Sequence, residues 1–179
     1  MPATTTSDIV LLQQLAPFQP SYGNIIGYVD VQDYMKIEMD IVIHSFPNDW
    51  ASIFRIGESN IYRWPGVYIH PNAGTPDTDR TGFWVSWRYS QNSDAFNANL
   101  GGALEINKTY HLEIEYDQMT FNVTINGEVV WIVAKETHTL QQSTPCYFSD
   151  GDYLAANATI SNLVVSTIAE GICTETLPR

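Results

Sequence analysis

Basic residues are scarce in this sequence of 179 residues, and long apolar runs are missing. Eight Lys and Arg stand against twenty Asp and Glu, which gives a formal net charge of −12. A charge of this sign repels the phosphate backbone of nucleic acids and anionic membrane surfaces. No stretch approaches the roughly 18 consecutive apolar residues of a membrane-spanning helix. The sequence therefore indicates a protein that binds no nucleic acid and does not insert into a membrane.

The motifs of common catalytic sites are also missing. The chain has no G-x-S-x-G nucleophile elbow, no phosphate-binding glycine loop and no C-x-x-C pair. Its four histidines, at positions 44, 70, 111 and 138, are scattered without the spacing of a metal site. Nothing in these patterns identifies a reaction.

Aromatic residues and alternating patterns are abundant instead. Ten Tyr, seven Phe and five Trp favour β-strands, because aromatic side chains pack well on a pleated sheet. Apolar and polar residues alternate over residues 110–116 and 121–125, which is typical of half-buried strands. Asn126 and Gly127 favour a two-residue hairpin turn into a strand at 128–131. With a closing strand at 158–165, the pattern predicts an all-β fold.

Further strands are predicted earlier in the chain. Met and Ile occupy every second position of residues 35–43, so one face of this strand is apolar. Other strands are expected from residue 53, over 66–70 and over 83–90, with Val85 and Trp87 facing the core and Trp84 outside. Residues 71–82 and 91–102 are interpreted as long loops. Residues 9–15 form either a short helix or the first strand before Pro17 and Pro20 interrupt them.

Three segments resemble the laminin-G-like branch of the concanavalin A-like lectin/glucanase superfamily. They are T-I-N-G-E at 124–128, F-S-D-G-D-Y at 148–153 and A-N-A-T-I-S-N-L at 156–163. The likeness extends back through 53–57 and 65–71, and covers residues 26–168. It implies a jelly-roll sandwich of two antiparallel sheets. It supports the fold more than the function, because this sandwich hosts sugar binders, protein binders and hydrolases.

The length fits one compact domain. We expect a Thr-rich leader with a short first element over residues 1–20 and a single laminin-G-like sandwich domain over residues 21–179. Residues 1–8 lack the basic start and apolar run of a signal peptide and resemble a linker. We therefore expect either a domain excised from a longer protein or a mature form that has been given a starting Met.

The resemblance also implies a disulfide late in the chain, between Cys146 and Cys173. Two reduced thiols are the alternative. Three sequons favour an oxidising, extracellular or cell-surface location: they begin at Asn107, Asn122 and Asn157. Each sequon alone carries little weight, because three-letter patterns are common by chance.

An enzyme hypothesis depends on Glu38 and Asp40. Glucanases of the superfamily carry alternating catalytic carboxylates along one strand, and Glu38-Met39-Asp40 matches the first two members of such a set. Val42 and His44 follow on the same face and supply no further carboxylate, whereas retaining hydrolysis needs two carboxyl groups about 5 Å apart. A solvated strand face is the simpler interpretation, and we expect no enzyme.

A binding module fits more of the sequence. A sugar site combines an aromatic platform with polar partners. The candidate ligand-binding residues lie in or near predicted loops: Trp50, Arg63, Trp64, Asn72, Arg80 and Trp84. Each also has a structural explanation, because Trp is usually mostly buried.

Calcium is the cofactor that the resemblance suggests, because laminin-G-like domains frequently bind it at one rim. Hard oxygen ligands on loops suit this ion. The candidate ligands are Asp77, Asp79, Asp150 and Asp152, and Asp94 also lies in one of the long predicted loops. Loop aspartates also cap turns without any metal, and acidity also serves solubility.

We therefore expect a non-catalytic extracellular module that recognises a glycan or a glycosylated partner. The alternative is a structural or adhesion domain that contacts proteins or neighbouring domains of the same chain through exposed aromatic residues. Free saccharide would compete with binding only in the first case.

Overall fold

The computed structural model describes residues 8–58, 62–76, 81–88, 96–100, 102–117, 120–134 and 141–168. Its regular elements are β1 (Asp8–Gln14), β2 (Asn24–Val29), β3 (Met35–Ile43), β4 (Ala51–Ile56), β5 (Arg63–Ile69), β6 (Phe83–Arg88), β7 (Phe96–Leu100), β8 (Thr109–Tyr116), β9 (Thr120–Ile125), β10 (Glu128–Ala134), β11 (Thr144–Phe148), β12 (Leu154–Ala155) and β13 (Ala158–Ile168). Among these residues no helix has the length and apolar character to cross a membrane.

The strands form two antiparallel sheets packed as a sandwich, which confirms the predicted all-β fold. Sheet A has the strand order β1-β13-β3-β8-β9-β10, and sheet B has the order β2-β11-β4-β5-β6-β7. The short β12 adds to β4 of sheet B in parallel. Neighbours in space are often distant in sequence, as where β13 pairs with β3.

The core lies between the two sheets. The apolar side chains of β3, from Met35 to Ile43 at every second position, are fully buried, as the alternation predicts. Trp87 of sheet B reaches across to sheet A, where its ring lies 4.4 Å from Tyr116 and 5.0 Å from Phe121 between centroids. Aromatic pairs at these distances add to the stability that apolar burial supplies.

The β9–β10 hairpin confirms the predicted two-residue turn. Ile125 pairs with Glu128, and Asn126 and Gly127 between them have φ angles of 52° and 82°. Both residues occupy the left-handed region that a tight hairpin turn requires. The Asn126 side chain also accepts a hydrogen bond from the backbone N–H of His111, at 2.9 Å.

The structure decides one open assignment and corrects another. The first element, for which a helix and a strand were both considered, is strand β1 at residues 8–14, paired with β13 of sheet A. Residues 96–100, expected to be loop, form β7 on the edge of sheet B. In both cases hydrogen bonding to a neighbouring strand determines the structure, whereas the local sequence carries a weak strand signal.

Candidate functional site

Both faces of sheet B are buried near its centre. Every residue of β4 and β5 is buried, although only one face of each strand meets the core. The outward side chains are polar or aromatic and include Ser52, Arg55, Arg63, Tyr68 and Ser86. The outer face of a sheet is usually exposed to solvent. Because the outward side chains of sheet B are buried instead, further side chains must pack over them as a second layer. This layer is the candidate site.

An ion-pair network lies at the base of this layer. The Nη1 atom of Arg55 lies 3.3 Å from Oδ2 of Asp150 and 2.5 Å from Oδ2 of Asp152. Burial alone lowers the pKa of Arg55, but the two carboxylates outweigh it and the net shift is upward. The Tyr68 hydroxyl donates to Oδ2 of Asp150 at 3.0 Å. Burial raises the pKa of Tyr68, which keeps this donor protonated.

Asp150 also organises the loop that follows β11. Its Oδ1 atom accepts hydrogen bonds from the backbone N–H groups of Asp152 and Tyr153, at 3.0 and 3.1 Å. Its own N–H donates to Ser52 Oγ at 3.1 Å. The carboxylate of Asp150 therefore holds Tyr153 beside Tyr68, with ring centroids 5.2 Å apart. Side-chain bonding to nearby backbone N–H groups is the usual role of Asp in turns.

The guanidinium of Arg63 lies among three aromatic rings. Its carbon is 5.1 Å from the ring centroid of Tyr68, 5.4 Å from Trp84 and 6.0 Å from Tyr153. Its Nη1 donates to Ser86 Oγ at 3.2 Å. A buried cation over aromatic faces gains roughly 0.5–2 kcal/mol. Arg63 therefore fixes the positions of the three rings.

Glycine at position 66 is what admits the Tyr68 ring. A Cβ atom at Gly66 would lie 2.5 Å from a ring carbon of Tyr68, a distance that two carbon atoms do not tolerate. Trp50 then extends the ring array, since its centroid is 5.1 Å from that of Trp84 and 4.7 Å from that of His70. We call Trp50, Arg63, Tyr68, Trp84 and Tyr153 the outer aromatic cluster.

The structure brings together most of the predicted ligand-binding residues that it describes. Trp50, Arg63 and Trp84 belong to the outer aromatic cluster, and Asp150 and Asp152 lie under and beside it. Asn72 is exposed next to the cluster, and its backbone N–H donates to His70 Nδ1 at 3.0 Å. Arg80, Asp77, Asp79 and Asp94 lie outside the described residues.

Trp64 does not belong to the site. It is fully buried in the core, with its ring 5.2 Å from that of Trp87. It therefore faces the opposite side of sheet B from Trp84, and direct contact with a ligand on the outer face is excluded. Its place next to a predicted loop suggested exposure, but Trp is usually buried even at strand ends.

Sequence reasoning missed Arg55, Tyr68 and Tyr153. Arg55 and Tyr68 each have apolar neighbours before and after them in the sequence, so they resembled residues of a strand that is buried on both faces. The signal that would have identified them is phase: Tyr68 alternates with Val67 and Ile69, which face the core. An Arg within such a run also requires a carboxylate partner, and Asp150 supplies it.

The predicted calcium ligands Asp150 and Asp152 share Arg55 as their cation. Oδ1 of Asp150 accepts a hydrogen bond from a backbone N–H, and Oδ2 accepts one from Tyr68 and lies next to Arg55. A calcium ion bound at Asp150 would therefore displace the Arg55 guanidinium. A second acidic group, Glu38, His111 and Glu113, has ligand atoms within 4.8 Å of one another on the outer face of sheet A. Lys36 lies 3.2 Å from Glu38 and 3.0 Å from Glu113 and offsets one of their two negative charges.

Glu38 and Asp40, which carry the enzyme hypothesis, lie on the outer face of sheet A and away from the outer aromatic cluster. The Asp40 carboxylate accepts hydrogen bonds from His111 Nδ1 and Asn162 Nδ2, each at 2.7 Å. Burial alone raises the pKa of Asp40, but these bonds outweigh it and hold the pKa below its ordinary value of 3.8. Both carboxylates thus take part in polar contacts along a half-exposed strand.

The predicted modification sites are associated with sheet A. Asn107 lies just before β8, Asn122 within β9 and Asn157 just before β13. Cys146 is fully buried on the inner side of β11 and forms no disulfide with another described residue. Cys173 lies outside the described residues, so the pairing stays a prediction.

Solved structures share this sandwich. Trypanosoma rangeli sialidase in complex with the inhibitor DANA aligns with a TM-score of 0.60 and 12% identity, over 90% of this chain and 27% of that one. The same sialidase in complex with sialic acid gives a TM-score of 0.57 and 13% identity, over 90% and 27%. The receptor binding domain of botulinum neurotoxin mosaic serotype C/D gives 0.58 and 12%, over 91% and 43%.

These likenesses show the fold alone. Sequence identities of 12–13% are too low to carry over residues or activities, and the chain spans less than half the length of each of these proteins. No family model matches the chain, and no curated protein sequence matches it. The similar structures are consistent with the predicted concanavalin A-like sandwich.

Proposed function

We propose that the chain is a non-catalytic module that binds a glycan or a glycosylated partner through the outer aromatic cluster, at the cell surface or outside the cell. The assignment to the laminin-G-like branch is part of this proposal. The observation that carries it is the ring array itself. Trp50 packs against Trp84, and Trp84 and Tyr153 each pack against Tyr68. Trp50, Trp84 and Tyr153 are half-buried, and the more exposed Asn72 and Asp152 lie next to this array.

This combination suits a sugar. A pyranose ring presents an apolar face of C–H groups and a periphery of hydroxyls, so it is bound by aromatic rings with carboxylate or amide partners beside them. Trp84 and Tyr153 offer ring surface, while Asp152 and Asn72 offer hydrogen-bonding groups at the edge. Ligand sites typically combine apolar surface with a few placed polar groups in this way.

The layer beneath the rings favours binding because it is rigid. Arg55, Arg63 and Asp150 are buried, and their contacts hold Tyr68, Trp84 and Tyr153 in place before any ligand arrives. A preorganised site loses less conformational entropy on binding than a mobile one.

The positions of the sequons agree with this orientation. Asn107, Asn122 and Asn157 belong to sheet A or to its connections, whereas the outer aromatic cluster is on sheet B. Glycans attached at these residues would leave the proposed binding face uncovered. Similar sandwiches occur in a sialidase solved with sialic acid and in a toxin domain described as receptor binding, which is compatible with a carbohydrate or receptor ligand.

The carboxylates near the rings favour binding over hydrolysis. Retaining and inverting glycosidases use two carboxyl groups that flank the sugar bond. Asp150 is buried and bonded to Tyr68, and Asp152 contacts Arg55, which leaves neither as a free acid and base pair. Calcium assistance stays part of the proposal, with Asp77 and Asp79 as candidate ligands that lie outside the described residues.

The test is a glycan array with the purified protein, run with calcium and with a chelator. We expect a selective sugar signal that Trp84→Ala abolishes. The matched control is Trp131→Ala, since Trp131 is also a half-buried strand Trp but lies on β10 of sheet A. Loss of signal in chelator would place calcium in or beside the site. Silence on the array in both conditions would refute the proposal.

One observation favours a protein-interaction domain as the second candidate. Tyr22, Ile25 and Tyr28 expose apolar surface at the edge of sheet B, and contiguous exposed apolar residues often mark protein interfaces. A structural or adhesion role predicts binding to a protein, or to a neighbouring domain of the same chain, that free saccharide does not compete.

A further inference from the structure

We propose that the ligand is a linear, uncharged oligosaccharide several sugar units long, which crosses sheet B from Trp84 on β6 to Ile25 and Tyr28 on β2. This inference rests on the proposed function and specifies its ligand class. It extends the site beyond the outer aromatic cluster to the edge strand of the sheet.

The strand register places one row of side chains across the outer face. Direct pairing connects β6, β5, β4, β11 and β2 through Ser86, Gly66, Arg55, Tyr147 and Ile25. Paired residues of adjacent strands point to the same face, and Trp84 and Tyr68 lie on the next outward positions along β6 and β5. Four strand spacings span about 19 Å, which is several times the width of one sugar ring.

Ring and apolar surface continues along this row beyond the cluster. Tyr147 is half-buried, and the Arg55 guanidinium carbon lies 4.9 Å from its ring centroid. Ile25, paired with Tyr147, is 43% exposed, and Tyr28 on the same strand is 59% exposed. The Tyr22 hydroxyl donates to the carbonyl of Gly151 at 2.5 Å, so the segment before β2 contacts the loop that carries Asp152.

The shape of this surface favours a chain over a single sugar. Ring or apolar surface recurs from Trp84 through Tyr153 and Tyr147 to Tyr28, with Asp152 as a polar group between them. One sugar unit would cover only part of the row and leave the exposed side chains of Ile25 and Tyr28 in water. A linear oligosaccharide presents one apolar ring face after another and matches the repetition.

The charges favour an uncharged chain. Arg55 is balanced by Asp150 and Asp152, so its positive charge is already compensated. Arg63 is only 6% exposed, and its guanidinium lies against the rings of the outer aromatic cluster. Neither of these two charges is therefore presented at the surface to an anionic ligand. The whole chain carries a formal charge of −12, which repels sulfated or carboxylated polysaccharides at moderate salt. Hydroxyl-only sugars avoid this repulsion.

The test is calorimetric titration with neutral glucose, mannose and galactose oligomers of one to six units, beside the glycan array. We expect affinity to rise with length until the row is filled and then to level off. Equal affinity at all lengths, or array signals confined to charged or branched glycans, would overturn the inference and leave the proposed function standing. An array that is silent throughout would instead refute the proposed function.

Variants on β2 locate the extension. We expect Ile25→Ser and Tyr28→Ala each to weaken the longest oligomer about tenfold, the effect of one lost ring or apolar contact, with the affinity for the shortest binding oligomer unchanged. Tyr28→Phe keeps the ring and should retain affinity. Ile132→Ser is the matched control, since Ile132 is 63% exposed on β10, the edge strand of sheet A. Equal weakening of short and long oligomers by both β2 variants, with unchanged melting temperatures, would refute a separate subsite.

Discussion

Arg55 and Asp150 form an ion pair 3.3 Å long beneath the outer face of sheet B, and their side chains are 3% and 0% exposed. The desolvation of two buried charges is expensive, so such a pair is stable only when further hydrogen bonds satisfy both groups. Tyr68 and two backbone N–H groups satisfy Asp150. The pair therefore links the fold of sheet B to the position of the proposed binding surface.

Removing the charge of Asp150 should destabilise the protein. Asp150→Asn leaves Arg55 buried with only Asp152 as a partner, and breaking a buried pair costs about 3–5 kcal/mol. For a protein of this size we expect the melting temperature to fall by about 10 °C. Thermal unfolding followed by circular dichroism measures this.

Asp152→Asn is the matched control for that variant. Its carboxylate also contacts Arg55 but is 32% exposed, and solvent screens the interaction. We expect a loss of about 1 kcal/mol or less. An equal loss of stability in the two variants would contradict the structural role assigned to Asp150.

The sequence predicts those parts of the fold that alternation determines. The inward positions of β3, the Asn126-Gly127 turn and the opposite orientations of Trp84 and Val85 all follow from local pattern. The site was only partly predictable, because Arg55 and Tyr68 lie on strands buried on both faces, where no alternation between apolar and polar residues is visible. Trp64 and Trp84 look alike in sequence, and only the structure, in which Trp64 is buried in the core against Trp87, shows that they occupy opposite faces.

The stability of sheet A should depend on pH through Asp40. Its hydrogen bonds with Asn162 and His111 outweigh burial and lower its pKa in the folded protein below 3.8. Between the folded-state pKa and the ordinary pKa of 3.8, the unfolded chain therefore binds more protons than the folded protein. The stabilisation by Asp40 is complete above the ordinary pKa and is lost as the pH falls through this window to the folded-state pKa. We expect Asp40→Asn to be less stable than the unmodified protein at pH 6 and indistinguishable from it at the acid end of this window.

Urea unfolding at a series of pH values measures the Asp40 effect. Glu128→Gln provides a control at an exposed carboxylate on β10 of the same sheet. A stability difference between Asp40→Asn and the unmodified protein that stays constant through the acid range would contradict the assignment.

Sequon use should follow the local geometry. Asn107 is exposed in a turn with φ of 61°, and its Oδ1 accepts from His44 Nδ1 at 3.1 Å, so the other side-chain atom, Nδ2, is available for a glycan. Asn157 is also exposed, and the hydrogen bond that its Nδ2 donates to Ser45 Oγ, at 2.9 Å, lies at the surface and uses only one of its two N–H groups. Asn122 is half-buried in mid-strand, and its Oδ1 is enclosed without a hydrogen-bond partner among the described residues.

We therefore expect glycans at Asn107 and Asn157 and little or none at Asn122 when the chain is secreted from a eukaryotic cell. Peptide mapping by mass spectrometry after enzymatic deglycosylation measures occupancy at each site. Asn107→Gln and Asn157→Gln together should remove almost all attached glycan. Full occupancy at Asn122 would show that the half-buried position does not limit modification.

Cys146 should be chemically inert in the folded protein. Its side chain is fully buried, and burial raises the pKa of the thiol to about 12, whereas the thiolate is the form that reacts.

The predicted disulfide between Cys146 and Cys173 is tested separately from the burial of Cys146. Thiol titration of the denatured, unreduced protein should detect no free thiol if the bridge is present and two if it is absent. After reduction and refolding, the Cys173→Ser variant should remain unreactive until it unfolds, because only Cys146 is left; rapid labelling of this variant would contradict the burial of Cys146.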